Sequence, residues 1–290
     1  MTKVGSSENC FGLSTKMTPL PARCLTMKST IPIIKKLNLE TAEVGKVSKY
    51  HFHIVDNGLG FPVYLPVIVA RGKRPGKVLG FTAAVHGNEL NGIQVIHKLI
   101  QEIEEEINHL QGTIVAVPVV NAFGALNSQR VFNNGYDLNR IMPGRAKGNS
   151  SDQYVHRFIK QIVTKFDYLV DLHTASFGRI NSLYVRADLD DPEAKQMAML
   201  QHPQIIVHNK GKDGSLRGAA AKLGIPSITV EVGDPQRFQK KLIRESVVGI
   251  NNILGYLQML PTEEFHTEKK PVLCQKSFWV YTDQGGLLET

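Results

Sequence analysis

Three side chains of metal-ligand type lie at or just past the ends of short apolar runs in this sequence. His86 closes Gly80–Val85, Glu89 follows three residues later, and His173 closes Asp167–Leu172. The first run is small and apolar, and the second is short with Leu169, Val170 and Leu172 as its apolar residues. That pattern reads as a buried strand delivering its last side chain to the carboxyl end of an open α/β sheet, where such sheets keep their sites. Two imidazoles and a carboxylate are the three-ligand set of a catalytic zinc with a fourth position open. Mn²⁺ or Fe²⁺ would tolerate the same donors. A single strand-end histidine is equally compatible with a hydrogen bond to backbone, but two of matching style favour the metal reading. Asp171, two residues before His173, shares its strand face and is placed to hold that imidazole in one tautomer.

A second carboxylate, Glu231, sits among Ile228, Val230 and Val232 at the end of another apolar run. A carboxylate there is costly unless paired or working. A low-dielectric setting raises its pKa towards the range of a general base. Between these positions, residues 121–145 form a long Gly- and Asn-rich segment carrying Ser128-Gln129-Arg130 and Tyr136-Asp137-Leu138-Asn139-Arg140. Segments of that length inside compact domains are commonly functional. Their arginines could bind a carboxylate or simply form surface ion pairs.

The elements that must position these groups alternate between strand and helix. Strands are expected at 50–56, 63–70 (near an edge, because of Pro66), 77–85, 113–120, 167–173, 182–186, 205–207, 225–232 and 278–281. Residues 71–76 are expected as a loop. After Glu89, apolar residues recur at helical spacing from Leu90 to Leu110, with Gly112 as the stop. Further helices are expected from a Ser150-Ser151 cap to Phe166, over 192–200, over 215–223 opening with Arg217, and over 237–257. Such alternation predicts an α/β three-layer sandwich on a mixed, mainly parallel sheet. Residues 1–45 read as a leader, poorly ordered or peripheral. Residues 46–260 form the catalytic domain, and 261–290 the start of a small β-rich region that is cut short.

A chain of 290 residues with 42% hydrophobic and 21% charged composition can bury one large core. No apolar run approaches the roughly 18 residues of a membrane span. Three scattered cysteines argue against a disulfide framework and for the cytoplasm. The net charge of +8 comes without basic runs interleaved with aromatics, so no nucleic-acid partner is expected. A positive field suits carboxylate substrates.

His86-Gly87-Asn88-Glu89, Asp137-Leu138-Asn139-Arg140, Asp171-Leu172-His173-Thr174 and Thr229-Val230-Glu231-Val232-Gly233, in this order, resemble the successive motifs of the succinylglutamate desuccinylase/aspartoacylase family, within the zinc carboxypeptidase superfamily. The resemblance implies one Zn²⁺ on His86, Glu89 and His173, with Glu231 as the catalytic glutamate. It also implies Arg130 as the group polarising the scissile carbonyl, Asn139 and Arg140 gripping a substrate carboxylate, and Arg217 as a further substrate arginine. The expected activity is hydrolysis of the amide in a small, carboxylate-bearing N-acyl amino acid, by a chain that could form a homo-oligomer. The alternatives are a metallocarboxypeptidase acting on peptide C-termini and an inactive metal- or ligand-binding protein on the same fold.

Overall fold

A computed structural model describes residues 31–176, 178–261, 270–278, 280 and 283–285. Among these, the strands are β1 (Ile33–Ile34), β2 (Lys46–Asp56), β3 (Pro62–Arg71), β4 (Arg74–Ala83), β5 (Gln111–Val117), β6 (Tyr168–His173), β7 (Leu183–Ala187), β8 (Ile205–His208), β9 (Ser227–Val232) and β10 (Val272–Cys274). They join one sheet in the order β1-β2-β3-β5-β4-β6-β9-β7-β8-β10. The central run β5-β4-β6-β9 is parallel, whereas β2/β3, β3/β5 and β7/β9 are antiparallel. The sheet is therefore mixed and mainly parallel, as the alternation of elements implied.

The helices are α1 (Asn91–Glu105), α2 (Ala122–Leu126), α3 (Ser150–Gln161), α4 (Pro192–Leu200), α5 (Leu216–Lys222) and α6 (Lys240–Tyr256). On one face of the sheet, α1, α4 and α6 bury Leu99, Met197 and Ile250 against Phe81, Val170 and Val230. On the other, α3 and α5 bury Phe158 and Leu216 with Leu169 and Val117. Residues alternate between these two layers along each strand, as the pleat requires. No helix among the described residues is long and apolar enough to cross a membrane.

Several boundaries differ from the sequence expectations. The packed unit begins at Ile31 rather than Lys46. β1 pairs with β2, and Leu37 and Ala42 are buried in the core. β3 is interior, yet Pro66 pairs only with His51 of β2, because β5 joins β3 from Ile68 onward. The missing N–H of proline is thus kept out of the doubly paired part. The 71–76 segment is not all loop, since β4 starts at Arg74. Helix α1 stops at Glu105 although Ile107 and Leu110 are buried beyond it. Its last turn carries acidic and no basic residues, which runs against the helix dipole. Gly112 does not cap that helix. It lies inside β5 at φ +82°, at the irregular register with β4, where an added Cβ would meet Lys77 O at 2.3 Å. Helix α3 is capped by Asn149, whose side chain accepts from Asp152 N, and not by the serines. It ends at Gln161, short of Phe166, with a 3₁₀ turn at Val163–Lys165 after it. The strand expected at 278–281 falls partly on Trp279 and Tyr281, which lie outside the described residues, as do residues 1–30.

Fully buried Tyr154 on α3 pins the start of the long 121–145 segment. Its hydroxyl donates to Val120 O at 2.7 Å and accepts from Ala122 N at 3.3 Å. Tyr154→Phe strands two backbone groups and is expected to cost about 1–3 kcal/mol, read as a lower urea midpoint at unchanged m-value.

Candidate metal centre

β4 ends at Ala83, two residues earlier than the sequence suggested, and the chain turns through Ala84 at φ +48°. This uncommon conformation for a side-chain-bearing residue redirects the following His86–Glu89 turn into the sheet's carboxyl edge. The turn is tightly packed, because a Cβ at Gly87 would lie 2.0 Å from Gly124 C and 2.2 Å from Ala125 N of α2. Asn91, the first residue of α1, then donates to Val232 O at 2.7 Å and accepts from Gln239 N at 3.0 Å. These bonds tie the turn to the end of β9.

His86, Glu89 and His173 come together here, all buried, with one ligand atom of each within 4.8 Å of the others. Nδ1 of His86 lies 2.8 Å from Glu89 Oε1, and Nδ1 of His173 lies 2.9 Å from Glu89 Oε2. The outer nitrogens face carboxylates as well. His86 Nε2 is 3.1 Å from Asp137 Oδ1, and His173 Nε2 is 2.8 Å from Asp171 Oδ2. Thr82 donates to the remaining oxygen of Asp171 at 2.7 Å. Glu89 further accepts from Thr174 N at 3.1 Å and from Ser176 Oγ at 2.9 Å.

Burial opposes ionisation of Glu89, but the two imidazoles, by charge and hydrogen bond, hold its carboxyl well below the usual range. Burial likewise opposes charging His86 and His173. The neighbouring carboxylates overcome it and raise both imidazoles, His173 most, through Asp171 and Glu89. Each ring nitrogen thus faces a carboxylate oxygen. A divalent ion suits the same donors: His86, Glu89 and His173 would hold it, with Asp137 and Asp171 orienting the two rings. The donor set thus fits a zinc ion by type, burial and outer partners. A second group, Asp188, Asp190 and His208, is partly exposed. Lys210 lies 2.7 Å from Asp190, and His208 Nδ1 already accepts from Leu189 N at 3.0 Å.

Arg130 reaches the same place from the long segment. Its Nη1 donates to Ser176 Oγ at 2.6 Å and lies 3.5 Å from Glu89 Oε1, while Nη2 donates to Asp137 Oδ2 at 3.0 Å. Asp137 also accepts from Asn139 N at 2.9 Å and stands 3.4 Å from Arg140 Nε. Its carboxyl is held far below the ordinary value: burial raises it, but His86 and Arg130 lower it more. Arg140 is 80% exposed at the rim. Asn139 uses its Oδ1 to accept from Leu216 N at 2.7 Å, joining this turn to α5. Arg217 is not brought to the centre in the same way. It is buried, and both terminal nitrogens donate to Asn209, to its carbonyl and its Oδ1 at 2.7 Å each. Burial pushes it down to about 10.

Glu231 enters from the next strand. It pairs directly with His173 across β6/β9 and with Tyr184 across β9/β7, so the three side chains share one face in a row. Burial raises its carboxyl, His173 lowers it, Glu89 raises it, and Arg186 lowers it, with the net direction upward. Ser176, Asp137 and Arg186 carried no individual role in the sequence reading. Asp137 was visible beside Asn139, whereas Ser176 and Arg186 are adjacent to the centre only through register and loop path.

Asp137→Asn and Asp171→Asn each weaken an outer partner of a candidate ligand. Each is expected to lose about 10–100-fold in zinc affinity, measured by competition with a chromophoric chelator, whereas His173→Ala removes binding altogether.

A family model for the succinylglutamate desuccinylase/aspartoacylase catalytic domain matches residues 75–257. The N-alpha-acetyl-L-2,4-diaminobutyric acid deacetylase of Halomonas elongata is 31% identical over 245 residues, covering 78% of this chain and 69% of that protein. Among solved structures, the product-bound ectoine utilization protein EutE of Ruegeria pomeroyi superposes with TM-score 0.72 at 19% identity, over 84% of this chain and 75% of that one. A succinylglutamate desuccinylase/aspartoacylase of Rhodobacter sphaeroides gives 0.68 at 21%, over 79% and 70%. These two likenesses establish the shared fold, and the family match and the deacetylase relative establish kinship. The chain belongs to the succinylglutamate desuccinylase/aspartoacylase family of amide-bond hydrolases.

Proposed function

We propose that this chain is a zinc-dependent deacylase that hydrolyses the amide bond of a small N-acyl amino acid. The observation that carries the reading is the buried His86–Glu89–His173 group, with both outer imidazole nitrogens on carboxylates and Glu231 one strand away. The relation to an N-acetyl-diaminobutyrate deacetylase supports a short acyl group on an amino acid.

A zinc ion held by His86, Glu89 and His173 would supply Lewis acidity and make a water nucleophilic near neutral pH. Glu231 is the base that takes the proton of the attacking water and passes it to the leaving nitrogen. Its raised pKa suits that two-way transfer better than an ordinary glutamate would. Arg130, fixed by Asp137 and Ser176, presents a guanidinium beside Glu89. It stabilises the oxygen on which negative charge develops. Arg140 at the rim meets the substrate carboxylate, for which a planar guanidinium is the matching fork. Asn139 can add only its amide nitrogen, because its oxygen is committed to Leu216. Arg217, committed to Asn209, contributes positive potential towards Asp171 and Glu231 rather than a direct grip.

The test is a panel of N-acetyl amino acids, N-succinyl amino acids and dipeptides, assayed by amine release with the zinc-loaded chain. Cleavage of the N-acyl compounds over the dipeptides is expected. Glu231→Gln should keep its zinc and lose about 10²–10⁴-fold in kcat. Arg130→Ala should lose about 10²–10³-fold. Full zinc occupancy with no hydrolysis anywhere in the panel would refute the deacylase reading.

A further inference from the structure

Arg186 is a strand residue whose place only the sheet register reveals. The row His173–Glu231–Tyr184 crosses β6, β9 and β7, and the next row down aligns Asp171, Thr229 and Arg186. Directly paired residues present their side chains to one face at strand spacings of about 4.8 Å. Arg186 therefore approaches Glu231 diagonally, and its Nε lies 3.4 Å from Oε1. At its other edge, Nη2 donates to the Tyr184 hydroxyl at 2.6 Å. The guanidinium lies over the Tyr184 ring, 5.3 Å from its centroid. Nε is buried and makes no hydrogen bond of good geometry, so its interaction is the ion pair with Glu231. Tyr184 is pushed up to about 12 by burial and by Glu231, so it stays neutral. It anchors Arg186 without cancelling its charge.

We propose that Arg186, anchored by Tyr184, is a positioning residue that holds the Glu231 carboxylate on the sheet face it shares with His173. The inference rests on Glu231 being the base of the deacylase reading. A glutamate side chain has three rotatable bonds, and the hydrophobic neighbours Val230 and Val232 point to the opposite face, so packing from its own strand does not restrain it. The planar guanidinium does: one edge meets the carboxylate while the other is fixed on the phenol. A lysine ammonium, a point charge on a flexible stem, cannot keep both contacts in one plane. Because small misplacement of a catalytic group is costly, loss of this restraint acts on the chemical step more than on binding.

The experiment uses the zinc-loaded full chain carrying Arg186→Met, Arg186→Lys or Tyr184→Phe. Arg186→Met is expected to lower kcat about tenfold to a hundredfold, with KM within about threefold and zinc content unchanged. Tyr184→Phe should show a smaller loss in the same direction, and Arg186→Lys only partial recovery. In a crystal structure of Arg186→Met, Glu231 should occupy more than one rotamer. A raised KM at unchanged kcat would assign Arg186 to substrate binding instead and overturn the proposal, as would a single, unmoved Glu231 in the variant crystal. If Arg186→Met does not fold, Arg186→Lys carries the same comparison. Should the unaltered protein hydrolyse nothing, the deacylase reading fails, and the rotamers of Glu231 in the variant still decide whether Arg186 positions it.

Discussion

The constraint on which the rest of this structure turns is the buried carboxylate of Glu89. It is almost inaccessible to water and is met by two imidazoles, one backbone N–H and one hydroxyl. Such a group is tolerable only because every partner is present together. The partners come from the β4 turn, from β6 with the residues just after it, and, through Arg130, from the 121–145 segment. The need to satisfy one side chain therefore ties three separate parts of the chain. The arrangement extends outward through Asp137 and Asp171, each bound to the far nitrogen of one imidazole. Asp137 in turn recruits Arg130, and Asp171 recruits Thr82. Carboxylates and nitrogen-bearing side chains thus alternate from the sheet to the rim, and the low dielectric makes each link stronger and the loss of one more costly.

The parallel strands β4, β6 and β9 explain why the carboxyl edge is the place where this happens. Their register aligns Thr82 with Asp171, and His173 with Glu231. Alternation sends these polar side chains to one face and Phe81, Val170, Leu172 and Val230 to the other. A one-residue slip would bury the charges under α1 and α6 and leave the apolar set facing the site. Hydrophobic packing on one face therefore specifies chemistry on the other. The Gly87 contact with α2 and the Asn91 bonds to Val232 and Gln239 then fix the loop that no strand pairing holds.

Where sequence reasoning misjudged an element, the competing interaction is identifiable. Ile107 and Leu110 prolong the apolar period of α1, but the acidic last turn ends the helix and leaves those two side chains to be buried from a turn. Gly112 looks like a helix stop and is a strand residue, because its left-handed backbone serves the irregular pairing of β4 with β5. Pro66 suggests an edge strand, and is instead accommodated where an interior strand has only one neighbour. The 121–145 segment does bring Arg130 and Asp137 to the His86–Glu89 turn, yet it holds α2 and a short 3₁₀ turn at Leu138–Arg140.

The order and type of the main elements, the candidate ligands His86, Glu89 and His173, and the candidate base Glu231 were legible in the linear sequence. Burial of charge-bearing residues among apolar ones leaves a local pattern. The two arginines that matter differently were not legible. Arg217 reads as a substrate group but spends its donors on Asn209, and Arg186 reads as an ordinary strand residue but lies against Glu231. Arg186 is placed by which strand lies beside which and in what register, and Arg217 by how α5 packs beside the residue after β8. That is a property of contacts between distant segments, and periodicity within a segment carries no information about it. Composition and spacing set which chemistry was available, and only the folded sheet decided which cation faces which carboxylate.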